Sequence, residues 1–174
     1  FSYSFFLNEA GMKLLNFGSL NIDYVYDMPH FVQGGETATA TARHVYAGGK
    51  GLNQSIAAAR AGARVLHAGA IGPDGAFLTQ LLQDAGADTS ALLQVQEASG
   101  HAMIQVTPEG QNAIIVYGGA NHCLTEAYVQ SVLRQAEPGD LVLLQNETSQ
   151  TAQIIAQAAD LGLRVVFNPS PFPA

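Results

Sequence analysis

Residues 47–63 read AGGKGLNQSIAAARAGA, with two glycines, a lysine and a third glycine standing before a run of small and apolar residues. A helix that starts behind bare glycine leaves its first N–H groups open to polar or anionic ligand atoms. Ala57, Ala58, Ala59 and Ala61 let such a helix lie close against a sheet. Directly after it comes VLHAGAI, residues 65–71, and near-continuous apolar runs of the same kind recur at 14–17, 141–144 and 165–167. Runs of that length without alternation are expected of strands buried on both faces. Strand, helix and strand in succession predict an α/β fold, a Rossmann-like, mostly parallel sheet flanked by helices.

The helices between the strands follow from apolar spacing near 3.6. Leu78, Leu81, Leu82 and Ala85 form one stripe, with Asp74 as the expected cap and Gly86 as the stop. Val129, Val132, Leu133 and Ala136 form another after Thr125, and Ala152, Ile155, Ala156 and Ala159 a third that Gly162 closes. Two segments depart from the rhythm. In residues 36–46, ETATATARHVY, threonines alternate with alanines, which predicts an extended strand with the two types on opposite faces. HAMIQVT and NAIIVY flank Pro108-Glu109-Gly110 as a β-hairpin. With residues 23–28 these predict a small second sheet, either a lid over a cleft or a subunit contact.

Composition narrows the function. The 174 residues are 48% hydrophobic and 12% charged, as in one globular domain. A net charge of −7 with only seven basic residues argues against nucleic acid as a partner, since such binding rests on neutralising phosphates. A single cysteine, Cys123, fits a reducing, cytoplasmic setting. The opening FSYSFFLNEAG is too short to span a bilayer and has no basic flank, so residues 1–11 are taken as an extension before a domain running over 12–174, with no membrane partner. The five histidines show no metal-ligand spacing, and His67 and His101 are expected in structural roles.

A Walker phosphate loop needs Ser or Thr after its lysine, whereas Lys50 is followed by Gly51. Two readings of the glycine turn remain, a ligand loop or a tight turn alone, and Asn53 and Gln54 in the first helical turn favour the ligand. Polar groups beyond the carboxyl ends of parallel strands are the other site candidates. Asn21 and Asp23 in GSLNID can share a face and suit vicinal hydroxyls, unless they close an Asx-type turn on their own backbone. Glu147 in LLQNE and Asn168 in FNPSP occupy the same position on later strands. GAIGPDG, residues 69–75, does not fit a dinucleotide fingerprint.

Taken in order, GSLNID, GETATATA, AGGKGLNQ, GAIGPDGAF, the hairpin ending in GGAN, LLQNE and FNPSP closely resemble the ribokinase-like carbohydrate-kinase family. The resemblance implies ATP-dependent phosphorylation of a sugar's primary hydroxyl, ribose first among the sugars. It implies that Asn21, Asp23, Gly49, Lys50, Asn53 and Glu147 bind the sugar, with Asp23 orienting it and not acting as base, and that Asn168 faces the nucleotide. ATP with Mg2+ and a monovalent cation such as K+ are the implied cofactors. The segments 23–46 and 100–117 correspond to a lid that also joins a homodimer.

One departure stands against these matches. No Gly-Ala-Gly-Asp motif occurs, and no Asn-x-x-Glu element, so neither the catalytic aspartate nor the phosphate end of the site is expected within these residues. The resemblance places the base aspartate beyond Ala174, and no residue of this chain is assigned as catalytic. The expectation is the N-terminal portion of such a kinase, without the C-terminal part of the fold and inactive alone. The alternative is a sugar-binding or dimerising module without catalysis. An uncovered sheet edge would also favour association with another chain.

Overall fold

The computed structural model describes residues 11–172. The expected extension at 1–11 therefore falls, except for Gly11, outside the described residues. Ala174, beyond which the base aspartate is expected, lies outside them as well. Nine strands and four α-helices alternate as β1 (Lys13–Phe17), β2 (Asn21–Asp27), β3 (Ala42–Gly48), α1 (Lys50–Arg60), β4 (Arg64–Ile71), α2 (Ala76–Asp84), β5 (Leu92–Gln94), β6 (Gly100–Val106), β7 (Asn112–Tyr117), α3 (Glu126–Leu133), β8 (Leu141–Gln145), α4 (Thr151–Asp160) and β9 (Arg164–Asn168). A 3-10 turn, Gly119–His122, lies between β7 and α3.

The four apolar runs become β1, β4, β8 and β9 of one parallel sheet, to which the short β5 adds a fifth strand, in the order β5-β4-β1-β8-β9. Its two faces are covered separately. Leu15, Phe17, Leu66, Val142 and Leu144 pack with Val129, Val132 and Ile154 under α3 and α4. Leu20, Val65 and Ile71 pack with Leu52, Leu78 and Leu82 under α1 and α2. The expected α/β architecture is therefore present, with burial on both faces explaining the unalternated β1, β4 and β8; β9 departs from the expectation, because it is an edge strand and leaves Val166 and Phe167 exposed.

The second sheet runs β3-β2-β6-β7, antiparallel except for the central β2·β6 pair. Its hairpin closes as expected, with Gly110 at φ 78° and its N–H bonded to Thr107 O at 2.9 Å. Only three residues separate the end of β1 from the start of β2, so this sheet grows out of the carboxyl end of the main one. That placement puts a wall beside the site.

Four local expectations need correction. Residues 36–41 form no strand, because β2 ends at Asp27 opposite Ala42 and offers no further ladder; the threonines are nonetheless exposed and Ala38 and Ala40 half-buried. Asp74 does not cap α2, whose N-cap is Gly75; its Oδ1 accepts from the Ser99 N–H at 2.9 Å instead. Leu81 is exposed, while Leu78 and Leu82 carry the α2 stripe. In α4 the core positions are Ile154 and Ala158, rotated from the expected Ala152, Ala156 and Ala159, which face solvent. Thr125 does cap α3, accepting from the Tyr128 N–H at 3.2 Å.

Candidate functional site

The carboxyl ends of β1 and β8, the start of β2 and the first turn of α1 meet at one place. Gly49 makes the turn into α1 with φ 99°, and a Cβ there would lie 2.7 Å from Ser19 O. Gly51 and Gly18 touch backbone to backbone, leaving no room for a side chain on either. The glycines are thus required by the turn, which the simpler reading predicted, and they also bring α1 against the strand end that carries Ser19.

The open helix N-terminus expected from the sequence is filled by the chain itself. Glu147 Oε2 accepts from the Lys50 N–H at 3.2 Å, and Ser19 Oγ accepts from the Gly51 N–H at 3.2 Å. Ser19 O takes the Leu52 N–H at 2.9 Å. Having accepted from Gly51, the Ser19 hydroxyl donates to Glu147 Oε2 at 2.5 Å. The Lys50 ammonium closes on Glu147 Oε1 at 2.5 Å. A carboxylate at a helix N-terminus, with a cation and further donors around it, is favoured by the helix dipole and by charge-assisted bonding.

Asn21 and Asp23 lie two apart on β2 and so share one face of the strand, which sets aside the Asx-turn reading. Asp23 opposes Tyr46 across the ladder, and its carboxylate lies where a side chain on Gly48 would be. Burial, and then the nearby Glu147 carboxylate, push the Asp23 pKa above the ordinary aspartate value. Two carboxylates are thus held close enough to feel each other, an arrangement rich in acceptors for hydroxyl groups.

Asn53 stands exposed in the first turn of α1. Asn168 ends β9, level with Gln145, but its Oδ1 accepts from the Ser170 N–H at 3.2 Å, a turn on its own backbone. Among the described residues no group of three or more His, Cys, Asp or Glu is placed to hold a metal ion.

A buried polar relay underlies the glycine turn. Asn16 Nδ2 donates to Gly51 O and to Ser55 Oγ, both at 2.8 Å. Ser55 in turn donates to His67 Nδ1 at 2.7 Å, which leaves the ring proton on Nε2, facing Gly18 O at 3.2 Å. Gln145 Nε2 donates to Asn16 Oδ1 at 3.0 Å and to Gln54 Oε1 at 2.5 Å. His67 is fully buried, and burial lowers its pKa to about 4, so the ring is neutral at pH 7. Asn16, Ser19 and Ser55 carry structural parts of this site to which the sequence alone assigns no role. A polar Asn16 inside the apolar run KLLNF is the one visible signal among them.

The model of the pfkB family of carbohydrate kinases matches residues 12–172. The chain belongs to that family. It is 39% identical over 159 residues to a ribokinase of Haemophilus influenzae, covering 88% of this chain and 52% of that protein. To a ribokinase of Staphylococcus aureus it is 38% identical over 168 residues, covering 93% and 55%. The fold is similar to a ribokinase of Cryptococcus neoformans in complex with ADP, at a TM-score of 0.80 and 38% identity over 94% of this chain and 51% of that one. It is also similar to Arabidopsis thaliana ribokinase complexed with ribose and ATP, at a TM-score of 0.75 and 26% identity over 92% and 54%. This pfkB family chain spans about half the length of the curated relatives it matches. The family is one of phosphotransferases with alcohol acceptors, and ADP and ATP complexes are among its solved members. No helix among the described residues is long and apolar enough to cross a membrane.

Proposed function

We propose that this chain forms the sugar-recognition part of an ATP-dependent kinase that phosphorylates the primary hydroxyl of ribose. The observation that carries the reading is the convergence of Asn21, Asp23 and the Lys50–Glu147 pair at the carboxyl end of the parallel sheet, beside the small second sheet. Asp23 accepts from a sugar hydroxyl and fixes the ring's orientation. Glu147, already bonded to Lys50 and Ser19, offers a second acceptor, while the Gly49 backbone, Lys50 and Asn53 line the remaining side. Holding several hydroxyls at once fixes the reacting oxygen in place, which is where most of the rate in phosphoryl transfer is gained.

When bound, ATP with Mg2+ supplies the phosphoryl group, and a monovalent cation such as K+ belongs to the same proposal. Asn168 is a poor holder for the nucleotide, because its Oδ1 is committed to Ser170. No Gly-Ala-Gly-Asp motif occurs among the 174 residues, so the chain is proposed to bind sugar without turning over ATP. A cytoplasmic location goes with this use of ATP.

The small sheet is proposed as a lid and as a homodimer contact. Ile115 and Val116 are 66% and 65% exposed, and Met103, Ile114 and Tyr117 stand uncovered near them. Met103, Ile115 and Tyr117 lie on one face of the sheet and Ile114 and Val116 on the other, and apolar surface left open on a sheet in this way marks an interaction surface. Calorimetry of the 174-residue chain with D-ribose tests the site: binding that Asp23→Ala removes supports it, and absence of heat from the wild-type chain removes it.

A further inference from the structure

Asn121, in the 3-10 turn after β7, is buried to 2% exposure and reaches back across the chain to β2. The backbone N–H of Leu20 can only donate, and it donates to Asn121 Oδ1 at 2.9 Å. The other end of that amide is therefore Nδ2. It donates to Leu20 O at 3.3 Å and to the Asn21 side chain at 2.7 Å. The receiving atom of Asn21 must then be Oδ1, which leaves its Nδ2 as the free end. Among the described residues nothing accepts from that Nδ2, and it is not one of the fully buried unpartnered atoms. It opens on the face of β2 that carries Asp23.

The pair is confined. A side chain on Gly100 would strike both Asn121 Nδ2 and Asn21 Oδ1, so these amides lie against bare backbone. Asn121 O also accepts from the Ser149 N–H at 3.1 Å, two residues past Glu147. One residue thus links the start of β2, the end of the small sheet and the loop of Glu147.

We propose that Asn121 is a positioning residue that fixes the polarity of the Asn21 amide, so that the site shows a donor from Asn21 beside an acceptor from Asp23. Such a pair reads one hydroxyl of a vicinal diol as an acceptor and its neighbour as a donor. This rests on the sugar site proposed above and adds to it the sense of each hydrogen bond.

Asn121→Asp keeps an acceptor for Leu20 N–H but removes the donor that Asn21 Oδ1 needs, so the Asn21 amide turns over. Side-chain amide exchange by NMR reads the polarity without ligand. In the wild-type chain the Asn21 Nδ2 protons exchange freely and those of Asn121 are protected; in Asn121→Asp the Asn21 protons become protected. D-ribose affinity by calorimetry falls about tenfold in Asn121→Asp, the worth of one hydrogen bond between neutral groups. In an Asn21→Ala background the same change alters affinity by less than about twofold, because the effect runs through Asn21. An equal loss in that background, as a through-space charge effect on Asp23 would give, overturns the proposal. So does protection of the Asn21 protons in the wild type, an arm that needs no variant to fold. If the wild-type chain does not bind ribose, the sugar-site reading fails, and the exchange pattern still decides the amide polarity.

Discussion

Acid should unfold this chain through His67 in a window that can be placed in advance. The ring is neutral in the fold, with its pKa lowered to about 4 by burial, against 6.5 in the unfolded chain. Below pH 6.5 the unfolded state takes up a proton that the folded state refuses. The stability held by neutral His67 is therefore complete above 6.5, declines as pH falls towards 4, and changes no further below. A gap of about 2.5 pH units, at about 1.4 kcal/mol each, comes to about 3 kcal/mol. The relay shows why the ring resists: Ser55 donates to Nδ1 after accepting from Asn16, so a proton added there would meet a donor. Urea unfolding followed by circular dichroism at about pH 7, 6, 5 and 4 measures the effect against His67→Gln, which does not titrate. The variant is less stable at pH 7, having lost the imidazole's bonds, yet the wild type should lose about 3 kcal/mol more than it between pH 7 and 4. Asp23, whose raised pKa makes its ionised form the costly one in the fold, works in the opposite direction, but it does so in both proteins and cancels. Parallel curves for the two would refute the reasoning.

Further outcomes follow from single contacts. Gly51→Ala puts a methyl group onto the Gly18 backbone and should cost about 1–3 kcal/mol of stability, read as a fall in the urea midpoint. Lys50→Ala removes the ammonium from Glu147 while leaving the Ser19 and backbone donors; because Lys50 is partly exposed, the stability loss should stay below about 1 kcal/mol, whereas ribose affinity falls clearly in calorimetry. Ile115→Glu with Val116→Lys should shift the chain towards monomer in sedimentation velocity, and an unchanged assembly would move the contact elsewhere. Asp23→Asn should abolish the decline in ribose affinity as pH drops, since the wild type loses its ionised acceptor at a pH above the ordinary aspartate range.

The sheet was legible because β1, β4, β8 and β9 are apolar on both faces, and a pattern of that kind survives without knowledge of neighbours. Asn21 and Asp23 could be paired from sequence because a strand's period of two puts them on one face. The α4 stripe went astray because alanine fits the core and the surface equally, so only contacts decide between Ala156 and Ala158. The threonine and alanine run at 36–41 looked like a strand because alternation is local, whereas a strand needs a partner, and β2 ends at Asp27. The occupant of the α1 N-terminus could not be read either: Glu147 lies 97 residues from Lys50 along the chain. Asn121 escaped for the same reason, since its bond to Asn21 spans 100 residues.

The central claim is that ribose binds where Asn21, Asp23 and the first turn of α1 meet. A residue-resolved NMR titration of the 174-residue chain with D-ribose tests it most directly. The account predicts saturable shifts gathered at Ser19, Asn21, Asp23, Gly49, Lys50 and Glu147. Shifts gathered instead in the cavity lined by Lys13, Arg64, Asp88 and Gln135, at the opposite end of the sheet, would contradict it.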